Sequence, residues 1–310
     1  MSYSSGSTPL NALRTAFGDR LQENVVLANY TTAHVGGPAD AMLILHTAAE
    51  LENAARRLWE LEVPFFILGV GSNVLVSDAG VRGVVLINHA RNVKIDVHST
   101  EPSVWAESGA NLGGVARQVA LRNLSGLEWA ATVPGSIGGA VYGNAGAHGG
   151  DMQGSLLLAE ILHRIEGKVS WPVEKFEYTY RTSCLKAQPG QAVILTARMK
   201  LTFARPEEDI QAKMDEFAAQ RRRSQPPGAS MGSMFKNPPG DYAGRLIETA
   251  GLKGTRIGGA EISSIHANFF VNDQRATATE IARLIDLVQK KVFERFGVTL
   301  ELEIEKLGEW

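Results

Sequence analysis

The stretch TVPGSIGGAVYGNAGAHGG, residues 132–150, holds seven of the chain's 32 glycines. Glycine at this density lets a backbone approach a flat or charged ligand without Cβ clashes. Ile137 and Val141 interleave with the glycines, so the stretch does not read as a flexible Gly/Ser linker. It predicts an ordered segment wrapped around something large. A second glycine loop, Gly69-Val70-Gly71-Ser72-Asn73, follows the strand pattern VPFFIL at 63–68. A dinucleotide fingerprint would need a third glycine at 74 and a helix after it. Position 74 is Val, and VLVSD reads as strand. What remains is either a plain strand-to-strand turn or a turn whose backbone N–H groups point at an anion. Two such loops in different halves of the chain could clamp a dinucleotide pyrophosphate from both sides.

Outward from these loops, the N-terminal part reads as α/β over roughly 25–90. A helical stretch spans Leu10–Phe17, and ADAMLILH (39–46) is a strand. AAELENAARRLWELE (48–62) is an amphipathic helix with Leu51, Ala54, Ala55 and Leu58 on one face. VPFFIL predicts a buried strand; VLVS and GVVLIN predict short ones. Residues 93–204 are mostly strands (VKIDVH, SVWAES, LLLAEILHR, KVSWPV, AVILTARMKLTF), interrupted by one helix at Leu112–Asn123. A helix follows at 206–223, with Pro206 at its start and Arg221-Arg222-Arg223 at its end. PPGASMGSMFKNPPG reads as a Gly- and Pro-rich turn. Beyond it come a helix at 241–250, a strand at 266–272 and a long helix from Thr279 to Phe296. Thr277-x-x-Glu280 is a capping-box signal for that helix, and Ile281, Leu284, Ile285, Val288 and Val292 form its apolar stripe. VTLELEIEKL alternates in period two, with Val298, Leu300, Leu302 and Ile304 toward a core.

With 310 residues the chain has room for two or three domains. A net charge of −2 gives no electrostatic reason for nucleic acid or an anionic membrane as partner. The basic run 221–223 fits either a helix C-terminus or an anionic ligand. One cysteine, Cys184, rules out an internal disulfide and suits a reducing compartment. The N-terminal residues show no apolar core of a signal peptide, and no apolar run reaches the ~18 residues that span a bilayer. The expectation is a cytoplasmic protein. No H-E-x-x-H, C-x-x-C or acidic cluster predicts a metal.

Seven segments together carry a resemblance: YTTAHVGGPAD (30–40), LGVGSNVLVSDAGVRG (68–83), GLEWAATVPGSIGGAVYGNAGAHGG (126–150), YRTS (180–183), GSMFKNP (232–238), GLKGTRIGGAEISSIHANFFVN (251–272) and GVTLELEI (297–304). In order and at these spacings the chain resembles the UDP-N-acetylenolpyruvoylglucosamine reductase family of bacterial peptidoglycan synthesis. The resemblance implies an α+β protein. It would have an FAD-binding region of the vanillyl-alcohol-oxidase (PCMH) type in two subdomains, 1–91 and 92–205, and a small C-terminal α+β substrate domain at 206–310. It places flavin contacts on Tyr30, Thr31 and Thr32, on Gly69, Val70, Gly71, Ser72 and Asn73, on Val133, Pro134, Gly135, Ser136, Gly138 and Gly139, and on Asn144, Ala145 and Gly146. It implies FAD held noncovalently, even with His34 and His148 nearby. NADPH is the implied co-substrate and UDP-N-acetylglucosamine enolpyruvate the implied substrate, in a monomer without nucleic-acid or membrane partners. Longer members insert a substrate-covering Tyr loop between the FAD and C-terminal regions. Here Thr202 to Pro206 leads straight into a helix, so the chain resembles the shorter type.

The implied reaction needs a proton for a carbanion-like carbon and a counter-charge for its carboxylate. Ser233 matches the family's proton donor; its plainer reading is a turn serine bonded to its own backbone. Arg181 is suited to grip a carboxylate bidentately, and is otherwise an exposed loop arginine. Glu303 matches the family's C-terminal carboxylate. Leu302 stands where the family usually has Pro, so a register shift onto Glu301 stays open. Tyr180, Arg222, Gln225, Lys236, Asn237 and His266 are the implied contacts to the nucleotide sugar. Two other enzyme readings and one non-enzymatic reading compete. Gly228-x-Ser230-x-Gly232 spells a nucleophile elbow, but that motif needs a strand before the serine and a helix after it. An O2-using flavin oxidase would share the glycine loops. A flavin- or nucleotide-binding sensor would share the fold without turnover.

Overall fold

The computed structural model describes residues 8–205 and 209–310. Residues 206–208, where the sequence predicts the start of a helix at Pro206, lie outside the described residues. The chain divides into two compact units. One comprises residues up to 21, 42–69 and 84–220; the other comprises 22–41, 70–83 and 221–310.

The larger unit is built on a five-stranded antiparallel sheet. Its strand order is Gly167–Pro172, Leu156–His163, Ala192–Lys200, Ser103–Glu107 and Val93–Asp96. The strand pattern read over 93–204 is therefore correct in kind and order along the chain. The helix expected over Leu112–Asn123 spans Leu112–Ala120; Asn111 caps it by accepting from Gly114 N–H. It packs with Val104, Ala106, Ile137, Val141 and Phe176 in one core. Helix Ala48–Glu60 buries Leu51, Ala54, Ala55 and Leu58, the face expected from its spacing. Each such leucine contributes about 1.5–3 kcal/mol on full burial. Its N-terminus is doubly tied: Thr47 accepts from Glu50 N–H, and the buried Glu107 carboxylate accepts from Ala48 N–H at 2.9 Å. The other oxygen of Glu107 accepts from Asn92 N–H at 2.9 Å, so each oxygen of this buried carboxylate has a hydrogen-bond donor. The strand expected to be buried at 63–68 is Phe65–Leu68, paired in parallel with Val84–Ile87, and only Leu68 is buried. It lies at the end of its sheet order, and Ile67 is 38 % exposed.

The smaller unit carries a four-stranded antiparallel sheet in the order Ala229–Ser233, Phe269–Asn272, Ala260–Ile262, Arg256–Ile257. Helices Ala243–Thr249 and Ala278–Phe296 cover it. The long helix starts at the predicted capping box, with Thr277 and Glu280 bonded reciprocally, and its five predicted stripe residues are all buried. The stretch read as a turn at 226–240 is corrected: Ala229–Ser233 is a strand. The C-terminal alternation is also only partly a strand. Pairing is confined to Glu305–Leu307, parallel to Val74–Val76, and to one bridge between Leu302 and Phe235. Burial alternates as expected up to Glu301, with Leu300 and Ile304 in the core, but Glu303 is half-buried like Leu302. Among the described residues, no helix is long and apolar enough to cross a membrane.

Candidate active site

In the larger unit the glycine-rich segment is not one open loop. Pro134–Gly139 is pinned from below: Leu112 N–H donates to Gly135 O, Ile137 N–H to Ala110 O and Gly138 N–H to Ser108 O, at 2.7–3.0 Å. Ser136 then caps a short helix, Ile137–Gly143, which the sequence did not reveal. Asn144 ends that helix in the left-handed region at φ +47. Its buried side chain donates to Thr179 O and accepts from Gln153 N–H, both at 3.0 Å. Gly146–Ala147 pairs with Gly150–Asp151 around His148 and Gly149, whose φ values are +51 and +82. Positive φ at both central residues is the signature of a type I′ hairpin. A Cβ on Gly150 would lie 2.6 Å from Trp129, so this glycine is needed for close approach. His148 stacks flat on Phe217, with ring centroids 4.0 Å apart. Gly69 reaches the same floor: a Cβ there would meet Ser136 Oγ at 2.4 Å.

Tyr180 and Arg181 form the tip of a tight turn closed by mutual backbone bonds of Thr179 and Thr182. Arg181 has φ +57, a conformation that costs a non-glycine residue about 1 kcal/mol or more. Its Nη2 donates to Gly146 O at 2.8 Å, which joins the arginine to the hairpin. Tyr180 is 53 % exposed, its ring 5.6 Å from the guanidinium carbon. Behind the turn, Tyr178 donates to Val141 O; burial pushes its phenol far above the usual range, so it remains a donor.

In the smaller unit Gly71 has φ +65 and packs against Tyr30 and Thr31; a Cβ would lie 2.2 Å from Tyr30 O. Thr31 is buried and donates to Val35 O. Thr32 bonds by its N–H to Gly71 O and by its hydroxyl to Ser230 O at 2.7 Å. Asn73 donates from its side chain to Glu303 O. Ser230 and Ser233 face Val271 and Phe269 across a bulge, with Gly232 at φ +78 between them. The strand runs on past Ser230 and the next helix starts only at Ala243, so the nucleophile-elbow context is absent. Beyond Ser233, Met234 O accepts from Glu303 N–H at 2.9 Å and Lys236 N–H donates to Glu301 O at 2.8 Å. Lys236 Nζ lies 3.5 Å from the Glu301 carboxylate. Asn237 accepts from Ala243 N–H at 3.0 Å, and Gln225 follows Arg222 at the end of helix Ile210–Ser224. His266 is half-buried against the edge of Phe269, and burial lowers its pKa from 6.5.

Sequence reasoning missed Asp78. Its carboxylate accepts from the N–H groups of Ala278 and Thr279, both at 2.8 Å, and from Thr279 Oγ1. A single aspartate in a turn carries no signal that a helix two hundred residues on will reach it.

Residues 223–307 match the family model described as UDP-N-acetylenolpyruvoylglucosamine reductase, C-terminal domain, and residues 39–163 match an FAD binding domain. UDP-N-acetylenolpyruvoylglucosamine reductase of Chloroflexus aggregans is 42% identical over 287 residues, 92% of this chain and 96% of the relative. The chain belongs to the UDP-N-acetylenolpyruvoylglucosamine reductase family. The reductase of Rubrobacter xylanophilus is 44% identical over 91% of this chain and 94% of its own length. The crystal structure of the Thermus caldophilus reductase aligns with a TM-score of 0.78 and 36% identity, over 93% of this chain and 99% of that one. The family resemblance read from seven motifs thus holds, as does the α+β fold, with an FAD binding domain followed by a C-terminal domain. The chain is a flavin oxidoreductase, with FAD as its noncovalent cofactor.

The residues fit such a cofactor. Among the described residues, the N–H groups of Val70, Gly71 and Asn73 have no hydrogen-bond acceptor, in a loop whose glycines leave no room for a Cβ. Unspent backbone donors beside glycine suit a pyrophosphate. No group of His, Cys, Asp and Glu among the described residues could hold a metal.

Proposed function

We propose that this reductase converts UDP-N-acetylglucosamine enolpyruvate to UDP-N-acetylmuramate at the expense of NADPH, for peptidoglycan synthesis in the cytoplasm, acting as a monomer of the shorter type. Domains at 1–91, 92–205 and 206–310 belong to the same proposal. The observation that supports it most is the bond from Glu303 N–H to Met234 O, which ties the family's carboxylate segment to the residue after its serine.

FAD, when bound, supplies the hydride that adds to the enolpyruvyl double bond and takes it from NADPH. Gly69 to Asn73, Tyr30 to Thr32, Val133 to Gly139 and Asn144 to Gly146 would hold it. Arg181 offsets the negative charge that grows on the substrate carboxylate, a task for a planar two-pronged cation. Its bond to Gly146 O holds the guanidinium against the hairpin. Ser233 gives its hydroxyl proton to the carbon next to the carboxylate. A serine is a weak acid, so it serves only a strongly basic acceptor held close, and positioning does most of the work. Glu303 orients the donor or returns the proton. The register favours Glu303 over Glu301, because Glu301 is turned to Lys236. Tyr180, Arg222, Gln225, Lys236, Asn237 and His266 bind the nucleotide sugar.

Incubation with the enolpyruvyl sugar and NADPH tests the reading. It predicts a product heavier by two hydrogens and one NADPH consumed per sugar. NADPH oxidised in air with the sugar unchanged would point to an oxidase instead.

A further inference from the structure

Strand Ala229–Ser233 loses its partner just where the chemistry is placed. Its neighbour begins at Phe269, whose own N–H turns back to His266 O. Met234 N–H still finds a backbone acceptor in Asn268 O, at 2.8 Å. Phe235 does not, and the Asn268 side chain takes over. Its Oδ1 accepts from Phe235 N–H at 2.9 Å and its Nδ2 donates to Phe235 O at 2.8 Å. Asn268 is 3 % exposed, and its own N–H is spent on His266 Nδ1. On the other flank, Glu303 N–H bonds to Met234 O and Leu302 bridges Phe235. Met234–Lys236, just past the end of the strand, thus has a side chain for one neighbour and the 301–303 segment for the other.

We propose that Asn268 is a positioning residue of the reduction step: its amide stands in for the missing strand partner of Phe235 and thereby fixes Ser233 relative to the Glu303 segment. The proposal rests on the reading of Ser233 as proton donor. Only an amide of this length offers a donor and an acceptor in peptide-like geometry; aspartate keeps the acceptor and loses the donor, and leucine loses both. The bulge before Ser233 raises the requirement. A bulge re-aims the residue beside it and leaves the ladder locally broken, so the first fixed point after Gly232 sets where Ser233 points. Thr32, bonded to Ser230 O, fixes the strand before the bulge; Asn268 fixes it after.

The test uses the FAD-loaded enzyme under anaerobic rapid mixing, with Asn268→Asp compared with wild type. NADPH should bleach the flavin at a rate within about twofold of wild type, because that half-reaction needs no proton from Ser233. Reoxidation by the enolpyruvyl sugar should slow about 100-fold, the scale of an ångström-sized misplacement, with a larger solvent isotope effect. In a Ser233→Ala background, Asn268→Asp should add almost nothing, since the group it positions is gone. Reoxidation at the wild-type rate overturns the proposal, and so do losses that multiply in the double variant. If the aspartate variant does not fold, Asn268→Ser is read the same way. Hydrogen exchange of the wild-type protein gives a check without substitution: slow exchange of the Phe235 amide supports the proposal, and exchange as fast as an exposed loop overturns it. Wild-type flavin that the sugar never reoxidises sinks the functional reading itself, and this proposal with it.

Discussion

Glu303 donates its backbone N–H to the carbonyl of Met234, 2.9 Å away, so the C-terminal carboxylate segment is bonded to the residue directly following Ser233. The neighbouring bond, Lys236 N–H to Glu301 O, sets the register of both glutamates. Glu301 is exposed and faces Lys236; Glu303 is half-buried. Glu303→Gln should therefore cost about 10²–10⁴ in turnover, the usual range for a proton-handling side chain. Glu301→Gln should change it by only about a fewfold. Steady-state kinetics of the two variants decides, and the reverse order would move the carboxylate role to Glu301.

The glycine loop makes a second prediction. Gly71→Ala should deplete the purified protein of flavin, because the new Cβ would press on Tyr30 O. Gly297→Ala is the matched control: φ is +68 there, in the left-handed region too, but nothing lies within 4 Å of its Cβ. Both variants pay the left-handed strain of about 1–2 kcal/mol, and only the first disturbs the loop. Equal flavin content in the two, by absorbance against protein, would remove Gly71 from the cofactor site.

Asp78 caps a helix from a distant segment. Replacing it with Ala strands the Ala278 and Thr279 N–H groups. Loss of a cap at a helix N-terminus costs about 1–2 kcal/mol. Asp78→Ala should lower the urea unfolding free energy by that amount, with Asp78→Asn in between. Unchanged unfolding of Asp78→Ala would mean that the Thr277–Glu280 box suffices alone.

Histidine 266 predicts a pH dependence of stability. Burial is the largest cause of its depressed pKa, and the nearby Lys253 adds to it. The unfolded chain then binds the proton more readily than the fold does, starting from 6.5 downward. This contribution is present above pH 6.5 and is lost as pH falls through the depressed folded value. His266→Asn keeps an acceptor for Asn268 N–H and removes the titration. The stability difference between variant and wild type, followed by urea unfolding from neutral to mildly acidic pH, should shift in favour of the variant as pH falls. A difference that stays flat would show that His266 does not titrate in this window.

Where local chemistry decides, the sequence was readable. The capping box at Thr277 and Glu280 and the stripe Ile281 to Val292 place one helix to within a residue. Where the deciding partner is far along the chain, it was not. Helix Ile137–Gly143 carries three glycines, which disfavour a helix by about 1 kcal/mol each; bonds to Ser108, Ala110 and Leu112 hold it. Strand Ala229–Ser233 follows Pro226-Pro227-Gly228 and contains Gly232, a turn composition, and it exists because Phe269–Asn272 lies beside it. The glycine segment was read correctly as ordered, but its helix-and-hairpin form depends on Trp129 and Phe217, which no local pattern names. Ser233, Arg181 and Glu303 stood out only through motifs matched together. Taken singly, each is an ordinary polar residue at a turn or on a strand.

The central claim is that a flavin-bound hydride and a proton from Ser233 reduce the enolpyruvyl sugar. Its most direct test is anaerobic bleaching of the bound flavin with NADPH, followed by addition of UDP-N-acetylglucosamine enolpyruvate. Wild-type colour should return at once. In Ser233→Ala the bleaching should be normal and the return slower by about 10³-fold or more. Return of colour in Ser233→Ala at close to the wild-type rate would contradict the account.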